Sequence, residues 1–323
     1  MTPTASPSGS EHLNTARKIL AALRALGAVT LIGASAQAAL FTNSASSDAF
    51  VRAAAPTLNY GGAGALSVSG SNSVNGTGVN NGVFDSFLRF NTAAMVAYFN
   101  STFGSTNWGI ASAKLRVTEL GTPANTLFNR GKGLFEIRWI SNDGWIEGTG
   151  TPNAPAATGI TYNDEPALLD PAREVSLGTF TNAALDTNLT FTLALPPDFI
   201  NDLRAGGETG LFLTTTDPSL GFTVDSRSFS TASARPVLEV SALLRPGIAG
   251  ITTSGTDLTL TVTNGVAGGI YYATTSTNLA LPEPEWTTIA INVLTENSNF
   301  TMTLTNQLIG ASPSLHFFRL QVR

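Results

Sequence analysis

The chain reads as all-β: two antiparallel sheets packed face to face, followed by a smaller immunoglobulin-like β-sandwich. Three observations predict this. Short segments of period two recur along the length, apolar residues alternating with polar ones. Clusters of Gly, Asn and Pro punctuate them, with 31 glycines and 16 prolines in 323 residues, and such clusters mark turns. Charged residues make up only 12% and hydrophobic ones 42%, enough apolar material to build cores.

The length suits two domains. Residues 39–244 open with the strand Asp48–Arg52, the turn Pro56–Gly62 and the strand Ala65–Ser69. A polar Asn/Gly/Ser loop fills 70–82. Further strands are Ala113–Thr118, Phe135–Trp139, Leu189–Leu193, Gly210–Thr214 and Pro236–Val240. In Ala113–Thr118, Ala113, Leu115 and Val117 share one face and Lys114, Arg116 and Thr118 the other. Two short helices are expected, 91–98 with Thr92 as cap, and 197–203 before Gly206–Gly207. Composition shifts at Arg245–Pro246–Gly247. Residues 245–323 then hold about five strands, beginning with the alternating Asp257–Thr263, as in a small immunoglobulin-like sandwich.

Residues 1–38 read as an export signal. Arg17, Lys18 and Arg24 precede the apolar run Leu26–Gly33, and Ala36–Gln37–Ala38 has the small-x-small form of a cleavage site. Cleavage after Ala38 would leave a secreted or cell-surface protein with no membrane span, because the run is shorter than the roughly 20 residues a span needs. The whole chain has 17 basic and 22 acidic residues; the signal takes three basic ones and one acidic one (Glu11), leaving 14 and 21 and a net charge of −7. An acidic chain without a basic run excludes a nucleic-acid partner. There are no cysteines, so burial and sheet hydrogen bonds must stabilise the fold, and thiol catalysis is excluded.

Residues 39–244 resemble the DNRLRE family, also classed as carbohydrate-binding module family 96. The resemblance is carried by Asp48–Ala49–Phe50–Val51, Pro56 with Asn59–Tyr60–Gly61, Leu66–Ser67–Val68, Leu88–Arg89–Phe90–Asn91 and Ala113–Lys114–Leu115–Arg116–Val117. It continues through Trp145–Ile146–Glu147, Thr161–Tyr162–Asn163–Asp164–Glu165–Pro166, Asp225–Ser226–Arg227–Ser228 and Arg235–Pro236–Val237–Leu238–Glu239–Val240. Departures are Asn91 in place of Asp, Ser228 in place of Glu, and the insert Thr149–Gly159. The resemblance implies a jelly-roll β-sandwich on a secreted protein, appended to polysaccharide-degrading enzymes, with acidic polysaccharide such as alginate bound by some members. The second domain resembles the C-terminal β-sandwich of secreted proteins of environmental bacteria, on Asn264–Gly265, Tyr271–Leu279, Trp286 and Phe317–Leu320.

Catalytic candidates are few. The two histidines are His12, which leaves with the signal, and His316. A Ser-His-Asp triad or a zinc site has little to draw on. Asp143 with Glu147, and Asp164 with Glu165, can be paired as in a glycosidase. They sit among Asn, Gly and Pro, as turn residues do. The same carboxylates with Asp48 can hold a structural Ca²⁺, although no Asp-x-Asp loop accompanies them; no other cofactor is expected. A lyase would have to rely on Tyr60, Tyr98 or Tyr162 beside an arginine.

Binding is the stronger expectation. Lys114 and Arg116 share the outward side of one strand, and Arg138, Arg89 and Arg227 lie on others. As neighbours they would form a cationic stripe able to pair with uronate carboxylates; otherwise they pair with Glu119, Glu136 or Asp225 across the sheet. Trp139 alternates with Ile137 and is expected in the core. Trp145, in a Gly-flanked loop, is expected to be more open and able to stack on a sugar ring. Tyr60 is expected to pack over a sheet end. The sequence thus points to a secreted, non-catalytic module that binds polysaccharide or a cell-surface glycan, with an envelope or matrix spacer as the alternative and a jelly-roll lyase behind both.

Overall fold

The structure is a computed structural model that describes residues 38–75, 77–120, 131–183, 188–265, 269–296, 298–305 and 317–322. Residues 1–37 of the expected export signal, and His316, lie outside the described residues. The chain divides into two compact units, a larger one ending at Ala249 and a smaller one from Gly250 to Gln321.

The larger unit contains β1 (Ala39–Ser44), β2 (Ser47–Arg52), β3 (Ala65–Ser69), β4 (Phe84–Asn91), helix α1 (Ala93–Phe103), β5 (Trp108–Thr118) and β6 (Gly133–Ile140). After these come the short helix α2 (Glu165–Leu168), β7 (Val175–Asn182), β8 (Asn188–Leu193), α3 (Pro197–Ala205), β9 (Glu208–Thr214), β10 (Gly221–Asp225) and β11 (Val237–Leu244). One sheet runs β1-β11-β5-β8 and the other β10-β3-β4-β9-β6-β7, with β2 also paired to β4. With β2, β3 and β10 set aside, the eight remaining strands, renumbered along the chain, run 1-8-3-6 and 2-7-4-5. That is the connectivity of a jelly roll.

The sheets close on one apolar layer. The four-stranded sheet contributes Leu115, Val117, Phe191, Leu238 and Val240, and the seven-stranded sheet Phe135, Ile137, Leu211, Leu213 and Phe222. Phe135 of β6 meets Phe191 of β8 edge-on at 5.1 Å, and Phe222 of β10 at 4.9 Å. The period-two pattern of β5 holds: Ala113, Leu115 and Val117 are buried while Lys114, Arg116 and Thr118 are only half-buried. Three small polar residues that enter the interior satisfy one another. Ser86 Oγ donates to Ser67 O at 2.7 Å and accepts from Ser67 N at 3.1 Å, and the Ser67 and Thr223 hydroxyls meet at 3.2 Å.

Two helices close one end of this layer through Met95, Phe99, Phe199 and Leu203. α1 runs to Phe103, further than expected, and stops at Gly104, whose φ of 60° lets its N–H reach Asn100 O and Ser101 O. Thr92 does not cap it. Its hydroxyl donates to Gly207 O at 3.0 Å, and Asn91 Oδ1 takes the Ala93 N–H at 3.1 Å instead. α3 ends at Ala205, before Gly206.

The smaller unit holds β12 (Gly247–Ser254), β13 (Asp257–Gly265), β14 (Ile270–Ser276), β15 (Thr287–Val293), β16 (Ser298–Leu304) and β17 (Phe317–Val322). Its sheets are β12-β13-β16 and β15-β14-β17: first, second and fifth strands against fourth, third and sixth, the partition of an immunoglobulin-type sandwich. Leu258, Leu260, Val262, Met302 and Leu304 of one sheet and Tyr271 and Ala273 of the other are buried.

Phe135→Ala is expected to lower the unfolding free energy by about 3–5 kcal/mol, through lost burial and the cavity left behind. Leu40→Ala, at a side chain 58% exposed, is expected to stay within about 0.5 kcal/mol. Denaturant titration of the two variants checks the contrast.

Candidate functional site: the covered outer face of the seven-stranded sheet

A sandwich strand normally turns one face to solvent. β4 and β9 do not. Leu88, Phe90, Leu211 and Leu213 point into the jelly-roll core, while Phe87 and Phe212, opposite each other in register, meet at 4.8 Å with tilted rings on the other side. Ala49 and Val51 of β2 and Ile140 of β6 join them, and the chain after β6 lays Trp145, Ile160, Tyr162, Leu168 and Leu169 over this second apolar layer.

Asn59 ties the cover down. Its Nδ2 donates to Glu147 O at 2.7 Å and Ile160 O at 2.8 Å, and its Oδ1 accepts from Gly61 N at 3.1 Å and Gly150 N at 3.2 Å. Its backbone bridges to Ala156, so the insert Thr149–Gly159 is anchored. Two glycines allow the approach: a Cβ on Gly148 (φ +77°) would lie 2.2 Å from Asn59 Oδ1, and one on Gly159 (φ +104°) 2.6 Å from Asn59 Nδ2.

Charged groups complete the cover. Arg89 donates to the carbonyls of Asp143 at 2.5 Å and Trp145 at 2.9 Å and to Ser47 Oγ at 2.9 Å, with its guanidinium 4.9 Å above the Trp145 ring. Glu147 takes Arg227 bidentately, Nε at 2.6 Å and Nη2 at 2.5 Å, and also accepts the Asp48 N–H at 3.1 Å. Asp48, fully buried, accepts the Arg227 N–H at 2.6 Å. Burial pushes its pKa up to about 7, with the nearby Glu147 charge adding and the Arg227 contacts opposing. Asp85 of β4 and Glu165 of α2 are both buried and face each other; burial and their mutual repulsion hold a proton on the pair well above the usual carboxylate range. Tyr162 lies beside them, and its phenol is pushed up by burial first and then by these two charges.

A concavity of about 290 Å³ opens in the cover, lined by Asn142, Trp145, Ile146, Ile160, Asp164 and Leu168, among others. Ile146 is 72% exposed at it. Trp145 Nε1 has no acceptor among the described residues. Asp164 uses one carboxylate oxygen to take the Thr161 N–H and hydroxyl, each at 2.8 Å. The Asp85–Glu165 pair does not line the concavity.

These placements correct several expectations. Trp145 is not open: only 5% of it is exposed, because Phe87 and Arg89 cover its faces. The cationic stripe does not form. Lys114 and Arg116 lie on the outer side of the four-stranded sheet, and Arg89 and Arg138 belong to the opposite sheet. Arg227 follows β10 and is consumed by Glu147. Arg116 lies 3.3 Å from Glu239, opposite Lys114 in register, and Arg138 bonds Glu174 at 2.8 Å with Glu136 at 3.7 Å. The paired acids are engaged within the fold: half-buried Glu147 holds Arg227, exposed Asp164 forms a capping box with Thr161, and buried Glu165 meets Asp85. Among the described residues no group of three or more His, Cys, Asp or Glu can hold a metal ion. Trp139 lies in the core with Nε1 on Asp202 at 2.7 Å, and Tyr60 stacks on Phe50 at 4.7 Å. The Asp85–Glu165 pair escaped sequence reasoning; its signal is a lone acid inside the apolar run Phe84–Phe90.

Asn59→Ala leaves two buried carbonyls and two buried N–H groups without partners. It is expected to cost about 3–5 kcal/mol in denaturant unfolding. Asp48 sets a pH dependence. Its folded pKa, about 7, lies above its ordinary 3.8, so between those values the native state keeps a proton that the unfolded chain has released. Its contribution is therefore full below about pH 4 and is lost as pH rises through 7. The fall in stability between pH 4.5 and pH 8 is expected to shrink in Asp48→Asn, by at most on the order of 4 kcal/mol. Equal slopes in the two proteins would contradict this.

No family model matches the sequence, and no curated protein matches it. Solved structures that align with it include the β-glucuronidase of Ruminococcus gnavus, at 9% identity and a TM-score of 0.18 over 74% of this chain and 31% of that one. The same enzyme in complex with uronic isofagomine aligns at 8% identity and a TM-score of 0.22, over 88% and 41%. The β-glucuronidase of Lactobacillus rhamnosus aligns at 10% identity and a TM-score of 0.18, over 78% and 33%. The chain spans roughly a third to two-fifths of the length of these proteins, and likeness at this level carries no argument about function.

Proposed function

We propose that the larger unit is a secreted, non-catalytic saccharide-binding module whose ligand sits in the concavity of the outer cover. The observation that carries this reading is the lining: the edge of a tryptophan, an exposed isoleucine, an amide and a carboxylate converge on about 290 Å³. Apolar walls with a few placed polar groups suit a sugar ring, whose C–H faces need apolar contact and whose hydroxyls need an amide or carboxylate. The lining carries Asp164 and no Lys or Arg, which favours a neutral sugar there. Absence of turnover is supported by the commitments of the acids: Glu147 and Asp164 are engaged within the fold, and Asp85 and Glu165 lie outside the concavity.

Affinity electrophoresis against a panel of neutral and acidic glycans tests the reading, with product release assayed alongside. A neutral glycan is expected to retard the protein. Asn142→Ala and Ile146→Asp, both at sites where little packing is lost, are expected to abolish the retardation while leaving unfolding unchanged. No retardation by any glycan would leave a spacer role, and unsaturated sugar products would make the protein a lyase.

A further inference from the structure

The smaller unit leaves one sheet edge unguarded. β15 ends the sheet β15-β14-β17, and among the described residues it pairs with β14 alone. Tyr271 and Ala273 of β14 are buried in the core, so the alternate positions of β14 and their register partners on β15 face outward. Those pairs are Ile270 with Val293 and Tyr272 with Ile291. Ile291 is 59% exposed and Val293 58%, while Ile270 and Tyr272 are half-buried. Together they make an apolar block on the outer face, at the rim of the sheet.

Other sheet edges in the chain are kept more polar. β7, β8 and β16 expose Ser, Thr and Asn at their exposed positions, and β17 exposes Arg319. β1 and β12 each expose one large aliphatic side chain, Leu40 and Ile251. β15 exposes two on one face, and the run Thr287–Val293 holds neither a charge nor a proline, the devices that ordinarily block a free edge. Its backbone is open as well. Leu294 N–H donates to Gly269 O at 3.2 Å, so by the alternation of an antiparallel ladder the N–H and C=O groups of Val293 and Ile291 turn away from β14. A bulge at Ile289 interrupts the register before this point, which confines a regular ladder along the free edge to Ala290–Leu294.

We propose that β15 is a self-association site, pairing edge to edge with β15 of a second copy of this chain, antiparallel about a two-fold axis at Asn292. Ile291 of one copy then lies opposite Val293 of the other, and each such pair exchanges both of its backbone hydrogen bonds. The exposed aliphatic side chains become cross-strand neighbours, and the two apolar blocks run together. Asn292 meets its own counterpart, an amide that can donate and accept at once. A second copy suits this edge because the strand is complementary to itself in that register: the exposed pair is its own match, and no like charges oppose each other. The contact is isologous and closes at the dimer. So short a ladder buries less than the roughly 1,200 Å² of a standard interface, so the dimer is weak and depends on concentration. The site does not rest on the concavity by Trp145.

The test is sedimentation velocity of the full chain over a concentration series reaching the sub-millimolar range. The unaltered chain is expected to pass from monomer to dimer as concentration rises. Ile291→Pro removes an outward N–H and none of the bonds to β14, a place where an edge strand accepts proline. It is expected to raise the dissociation constant about tenfold or more. Val293→Lys, at a side chain 58% exposed, puts a charge on the free edge. It is expected to act in the same way, and it keeps the test decisive if Ile291→Pro does not fold. Ile251→Lys, on the edge strand of the other sheet, should leave the association unchanged. The proposal is overturned if the chain stays monomeric across the series, if it grows beyond the dimer, if the dimer survives Val293→Lys, or if Ile251→Lys abolishes it.

Discussion

The larger unit is governed by a sheet that is apolar on both faces. Phe87 and Phe212 cannot be left in water, and the jelly-roll core is already filled by the opposite sides of the same strands. Burying each of these aromatic side chains is worth about 1.5–3 kcal/mol, which the chain secures by folding the segment after β6 back over the sheet. Such a segment carries backbone groups that water can no longer reach. Asn59 supplies both donors and acceptors to it at once, and Arg89 serves two more of its carbonyls.

This arrangement explains why the charged residues behave as they do. A net-acidic protein with few charges spends them on joints between distant segments. Arg227 meets Glu147 across 80 positions of sequence, and Arg138 reaches Glu174. Each joint is partly shielded and hydrogen-bonded, so removing one partner leaves a charge stranded. The carboxyls without a cation, Asp85 and Glu165, remain inside by keeping a proton.

Much of the architecture was legible in the sequence. Alternation in Ala113–Thr118 and Phe135–Trp139 revealed the strands and their inward faces because period two is a local property of the pleat. The run Asn59–Tyr60–Gly61 identified a turn, and Tyr60 over a sheet end followed from it. What local pattern could not convey was how strands are shared between sheets. Lys114 and Arg116 looked like neighbours of Arg89 and Arg138, yet a jelly roll sends β5 to one sheet and β4 and β6 to the other. Trp145 looked open because its own loop is glycine-rich, and its burial comes from Phe87, nearly sixty residues earlier.

The pairing of β1 with β11 has a kinetic consequence. Ala39 sits opposite Ala242 in that ladder, so the first and last strands of the unit are neighbours, and β5, paired with β8 on one side, gains its second partner only from the end of the chain segment. Local contacts cannot close such a sheet, and a search over some two hundred residues precedes it. During synthesis the four-stranded layer must therefore wait, its apolar side uncovered, until the final strand emerges. This places the hazard of misassembly in the interval between making β8 and making β11.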